Sequence, residues 1–139
     1  MNADPKTESA VRLTLDRLAG VYVTRDAAMM RAVFAPDPDV VMYTPGAEAI
    51  VGLSAIVAKA EGDWSRSDAA SLTYVWMSIS AAGPVAWAAA DADFTVRASG
   101  RQTTIPAHIT FVLEQRGEQW LIQQAHYSFA APPADNAGS

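Results

Sequence analysis

The sequence contains no cysteine and only two histidines among 139 residues. The first absence removes disulfides, thiolate metal sites and cysteine nucleophiles together. Charge is sparse as well: 10 Lys and Arg stand against 15 Asp and Glu, a net charge of −5, with no basic run. Nucleic-acid phosphates demand clustered cations, so no nucleic-acid partner is expected. Long apolar stretches are missing, too. The longest, Val85 to Ala90, covers six residues, far below the roughly 20 of a membrane-spanning helix. The first residues lack both the basic and the apolar region of a secretory signal. A cytoplasmic protein with no membrane contact is the expectation.

Half of the residues are hydrophobic, although 28 of these are alanine. The remainder suffices for one core at this length. A single domain is expected over residues 1–130. Residues 131–139, rich in Ala, Pro and Gly, read as a flexible tail.

Val11, Leu15, Leu18 and Tyr22 recur at helical spacing, which predicts an amphipathic helix over Thr7 to Val23. Thr24-Arg25-Asp26 offers a cap for a second, short helix with Met29, Met30, Val33 and Phe34 on its apolar face. Val40 to Thr44 is a short strand ending at Pro45-Gly46, suited to a pocket mouth. Ser54 caps a third helix to Trp64. Four strands then follow, Ser71–Ser80, Val85–Ala98, Thr103–Gln115 and Gln119–Phe129, divided by turn residues. Helices first and a meander last give an α+β domain with helices on one face of a curved antiparallel sheet.

Three local patterns carry a resemblance. They are Arg25-Asp26 through Phe34-Ala-Pro-Asp37 into Val40-Val-Met-Tyr43, then Gly46 with Gly52-Leu-Ser-Ala-Ile56, then the closing hairpin with His108–Val112, Gly117, Trp120–Ile122 and His126–Ser128. In this order they resemble the nuclear transport factor 2-like superfamily, and within it the SnoaL-like proteins related to steroid delta-isomerase. The resemblance implies a cone-shaped, cystatin-like α+β roll with a cavity between sheet and helices, and a homodimer formed through the sheet. The superfamily holds isomerases, cyclases, hydrolases and non-catalytic modules, so the fold alone fixes no activity. Compared with steroid delta-isomerases, Leu18 stands where their oxyanion Tyr belongs, Tyr43 where their catalytic Asp belongs, and Ile109 near their second Asp. Their signature residues are absent. Asp91, Asp93 and Arg97 resemble the Asp-Arg-Asp cluster of epoxide hydrolases of this fold, but all three come from one strand.

Strand alternation places Trp120, Ile122, Gln124, His126 and Ser128 on one face, and His108 with Thr110, Val112 and Glu114 on one face of the preceding strand. A three-residue turn at Arg116-Gly117-Glu118 sets His108 opposite His126; a two-residue turn separates them to opposite faces. A turn at Ser99-Gly100 sets Asp91 beside His108, and one at Gly100-Arg101 sets Asp93 there. Asp91, Asp93, His108 and His126 are therefore the candidate catalytic residues, since an Asp holding an imidazole tautomer suits proton transfer. The alternative is a satisfied polar network with no turnover. Trp76 and Trp87 are candidate apolar walls, Tyr43 and Tyr74 candidate phenol donors, and Gln124 and Ser128 candidate ligand contacts. No metal or cofactor is expected. The expected ligand is a small apolar molecule with oxygen substituents, handled by an isomerase, cyclase or hydrolase. A non-catalytic homodimeric assembly or ligand-sensing module is the competing reading.

Overall fold

Helix α1 (Pro5–Thr24) begins where the Asp4 side chain accepts the Thr7 N–H, and ends at Arg25, whose positive φ turns the chain. Asp26 caps α2 (Ala27–Val33) by accepting the Ala28 and Met29 N–H groups. The chain then makes β1 (Val41–Tyr43), β2 (Ile50–Val51) and α3 (Leu53–Ser65). Gly52, at φ 91°, occupies the N-cap of α3 in place of the expected Ser54. A side chain is strained in that conformation, so this position favours glycine. The long strands β3 (Ala69–Ala82), β4 (Val85–Ala98), β5 (Arg101–Arg116) and β6 (Gln119–Phe129) complete the fold. The computed structural model describes residues 2–130. The expected tail, 131–139, lies outside the described residues.

The six strands form one curved, open sheet in the order β2-β1-β6-β5-β4-β3. It is mixed rather than wholly antiparallel, because β1 joins β6 in parallel. The helices cover one face, where Val11, Leu15 and Leu18 of α1 and Phe111, Leu113 and Ile122 of the sheet are buried in one cluster. Burial of this apolar surface is the main stabilising contribution. The Thr14 hydroxyl donates to the Trp120 carbonyl at 2.6 Å, fixing α1 against β6 inside that layer. No described helix is long and apolar enough to cross a membrane.

Two bulges govern which side chains enter the helix-covered face. In β3 the pairing slips between Tyr74 and Trp76. Leu72 and Tyr74 point inward before it, and Met77 and Ile79 after it. In β6 the pairing slips where Val112 opposes Gln124 but Leu113 opposes Ile122, leaving Gln123 as the extra residue. Trp120 and Ile122 are buried before the bulge, Ala125 and Tyr127 after it. An extra residue reverses the alternation of everything beyond it.

The polar network around Gln123 anchors that bulge. Its amide donates to Asp37 at 2.8 Å and to Glu114 at 3.1 Å. Arg116 forms a two-pronged ion pair with Asp37 and also donates to Glu114. Hydrogen bonds from Arg116 and Gln123 lower the Asp37 carboxyl to about 2. The loop after α2 is thus tied to the β5–β6 hairpin.

Candidate functional site

Between α1, α3 and the covered face of the sheet lies a cavity of about 370 Å³, within the range of small-molecule sites. Leu18, Val21 and Tyr22 of α1 line it, with Ile56, Ala60 and Trp64 of α3. Leu72, Phe94, Val96, Ala107, Tyr127 and Phe129 form the sheet side, and Met42, Thr44 and Pro45 lie at the strand end that the sequence assigned to a pocket mouth. Phe94 meets the Tyr22 ring edge-on, with centroids 5.6 Å apart.

Inside this apolar lining stands a pair of phenols. The Tyr22 hydroxyl donates to the Tyr127 hydroxyl at 3.0 Å, and Tyr127 is only 8% exposed. Two phenols carry two protons, and one is used between them. The other has no acceptor among the described residues. Burial drives the Tyr22 phenol up to about 12, and the charge of Asp63 adds to the rise. Burial also raises Tyr127 well above the usual phenol value. Both therefore stay neutral hydrogen-bond donors near neutral pH.

The exposed end of the cavity is charged. Lys59 grips both oxygens of Asp63, at 2.8 and 2.7 Å, and Arg66 reaches the same carboxylate at 2.8 Å. Behind it, the Arg25 guanidinium donates to the Trp64 and Ser67 carbonyls at 2.6 and 3.0 Å, and to the Ser67 hydroxyl at 2.9 Å. These bonds satisfy carbonyls at the end of α3 and fasten it to the end of α1.

The residues expected to meet in the cavity lie elsewhere. On β4, Ala86, Ala88, Ala90 and Ala92 face the core, so Trp87, Asp91 and Asp93 belong to the opposite face. Asp91 does pair with His108, Nδ1 to Oδ1 at 3.1 Å, as the Ser99-Gly100 turn requires. Asp93 opposes Pro106 instead. The pair is in the open, with side chains 53% and 56% exposed.

The β5–β6 turn has two residues, Gly117 and Glu118, which alone would have split the histidines between faces. The bulge at Gln123 restores them to one face, with His108 opposite Ser128 and Thr110 opposite His126. That face is the outer one, and it also carries Gln124. Tyr43 rests its ring 5.3 Å from His126 and is exposed. The bulge at Val75 turns Trp76 outward, 55% exposed, and Trp87, opposite Ser80 farther along the same outer face, is 40% exposed. Neither Trp lines the cavity. Tyr74 faces inward, but its hydroxyl donates to the Leu15 carbonyl at 2.8 Å.

Tyr22, Tyr127, Lys59, Asp63 and Arg66 were not singled out by sequence. One signal was present. Tyr22 completes the apolar stripe of α1, so its hydroxyl had to find a partner inside the core. On α3, Ile56, Ala60 and Asp63 follow one face that turns polar toward the helix end.

Comparison with known proteins agrees with this architecture. A candidate dehydratase of the nuclear transport factor 2-like family from Streptomyces avermitilis superimposes with a TM-score of 0.84 at 13% identity, over 92% of this chain and all of that one. A candidate aromatic ring hydroxylase from Novosphingobium aromaticivorans gives 0.85 at 15% identity, covering 94% of each chain. A nuclear transport factor 2-like superfamily protein from Salmonella enterica gives 0.81 at 18%, covering 96% of each. At such identities the likeness establishes the fold and nothing finer. No curated protein matches the sequence. The sequence pattern of the SnoaL-like domain matches residues 11–132, and with nearly the whole described chain inside that match, the protein belongs to the SnoaL-like domain family.

Proposed function

We propose that the protein binds a small apolar molecule inside the cavity and donates the remaining proton of the Tyr22–Tyr127 pair to an oxygen of that molecule. The observation that carries this reading is the buried phenol proton without an acceptor among the described residues, set among the apolar and aromatic walls of the cavity. A phenol proton that faces the cavity and has no protein acceptor is placed to bond an oxygen of a ligand held there. A phenol placed this way also stabilises negative charge developing on a carbonyl oxygen, as isomerase or lyase chemistry requires. The likeness to candidate dehydratases of the same fold supports a small-molecule reading of this kind.

The test uses Prodan, a neutral aromatic ketone whose emission shifts to the red when its carbonyl accepts a hydrogen bond. Wild-type protein should bind it with red-shifted emission. The Tyr22→Phe/Tyr127→Phe variant should bind it with blue-shifted emission, since replacing both partners leaves no orphaned group. Ala60→Trp, which fills the cavity, should abolish binding. Identical emission from the double variant would overturn the reading.

The outer face supports a second element of the proposal, a homodimer through the sheet. Val85, Trp87 and Val112 are exposed together there, with Val112 opposite Trp87, while Trp76 stands farther along the sheet opposite Asp91, next to His108, and Asp93 and Arg97 continue the row. A surface that combines exposed aromatic side chains with charges of both signs suits contact with a second copy of itself across a two-fold axis. Sedimentation should give a dimer for the wild type and a monomer for Trp76→Arg/Trp87→Arg. A monomeric wild type at tens of micromolar would sink this element.

A further inference from the structure

The charged end of the cavity contrasts with the rest of the molecule. The chain carries a net charge of −5, yet the charged residues lining the cavity are two cations, Lys59 and Arg66, and one carboxylate, Asp63. Counted at neutral pH this end holds one unbalanced positive charge. Both cations keep donors in reserve. Among the described residues, Lys59 uses its ammonium on Asp63 alone, and Arg66 uses one guanidinium nitrogen on the same carboxylate. These groups are well exposed, with Lys59 33%, Asp63 49% and Arg66 68% accessible, while Tyr127 at the other extreme is 8% accessible. The cavity is thus polarised, with a cationic mouth, aromatic walls from Tyr22, Trp64 and Phe94, and a neutral donor pair within.

We propose that the molecule held in the cavity is an aromatic or conjugated anion, seated with its charged group at the mouth against Lys59 and Arg66 and with an oxygen acceptor at the Tyr22–Tyr127 pair. The proposal rests on the cavity being the ligand site and adds the charge and orientation of the ligand. Asp63 then has a role of its own. It holds the two cations in place while the cavity is empty, and shares them with the anion when it is filled. A carboxylate or sulfonate accepts charge-assisted hydrogen bonds from both cations, the stronger class of such bonds. A neutral ligand of the same body gains nothing at the mouth. The apolar walls would reject a bare inorganic anion, because such an ion leaves the aromatic surface unfilled.

Two probes that share a body separate the contributions. 1-Anilinonaphthalene-8-sulfonate carries a sulfonate, and N-phenyl-1-naphthylamine is its uncharged counterpart. Fluorescence titration of the wild type should give a Kd for the anion about tenfold below that of the neutral probe. Added salt should narrow the gap. In Lys59→Gln/Arg66→Gln the two constants should converge to within about twofold. Asp63→Asn should widen the preference by releasing both cations. Equal constants in the wild type, or a preference that survives in the double variant, would overturn the proposal. Ala60→Trp separates this failure from that of the underlying reading. If it abolishes binding of the neutral probe while no anion preference exists, the cavity remains the ligand site and the anion proposal falls. If it changes neither titration, the probes sit elsewhere, for example on the exposed tryptophans of the outer face, and both readings fall together.

Discussion

Successive residues of β4 belong to two different surfaces. Ala86, Ala88, Ala90 and Ala92 lie buried under the helices, whereas Trp87, Asp91 and Asp93 stand on the side the helices leave open. Size and polarity are distributed opposite to a simple expectation, in which a large aromatic belongs inside. A helix-covered face needs side chains that fill the available volume, and here a row of alanines fills it alongside bulky partners such as Phe111 and Leu15. The open face can hold a tryptophan because exposed apolar surface is tolerated, all the more where another surface covers it.

The sharpest way to break this contrast uses neighbours in sequence on opposite faces. Phe111→Ala should cost about 3–5 kcal/mol, because Phe111 is fully enclosed. Val112→Ala, one residue on but facing outward, should cost within about 1 kcal/mol. Urea denaturation at concentrations that keep the protein monomeric checks both, and similar losses would mean that the two faces are not energetically distinct.

A second measurement probes the Asp37 carboxylate, which ties the loop after α2 to the β5–β6 hairpin, through acid. Arg116 and Gln123 hold Asp37 at about 2 in the folded protein, below the roughly 3.9 of an unfolded chain. The folded state therefore binds fewer protons in that window. Its stabilisation is complete above about pH 4 and disappears as the pH falls toward 2. Asp37→Asn should flatten this part of the stability profile, read from denaturation midpoints between pH 2 and 5. An unchanged slope would remove Asp37 from the account.

The smallest effect is expected from the pair that the sequence brought together. Asp91 and His108 form an exposed contact on the outer face, and such pairs contribute about 0–1 kcal/mol. Asp91→Asn and His108→Gln should leave monomer stability within that margin and Prodan binding unchanged. A large loss of Prodan affinity in either variant would connect the outer face to the cavity and blur the comparison.

Much of the fold was legible because periodicity reports burial. The stripe Val11, Leu15, Leu18 marks α1, and the glycine turns mark the hairpins, while the register that sets Asp91 beside His108 is one of the two that Gly100 leaves open. The site was less legible for a specific reason. Regular alternation from Trp120 and Ile122, both truly buried, points His126 inward, but the strand breaks its alternation at Gln123. No glycine or proline marks that bulge, and Gln123-Gln124 looks alike from either side. The same holds for Val75, set between Tyr74 and Trp76 in a run of three strand-forming residues. A one-residue slip cannot be seen in a periodic pattern that is apolar on both faces. On β4 no slip intervened. There the error came from giving the inward side to the larger and more polar set.

The Gln123 bulge makes the identity of the cavity depend on residue count. Removing that one position would take away only the Gln123 amide and reverse the outlook of the residues after it, so that His126 would look into the cavity and Tyr127 out of it. An imidazole would replace a phenol, and a proton acceptor could stand where the protein now offers a donor. Within this architecture, a single-codon insertion or deletion in β6 is thus a route between two chemistries that no point substitution at Gln123 provides.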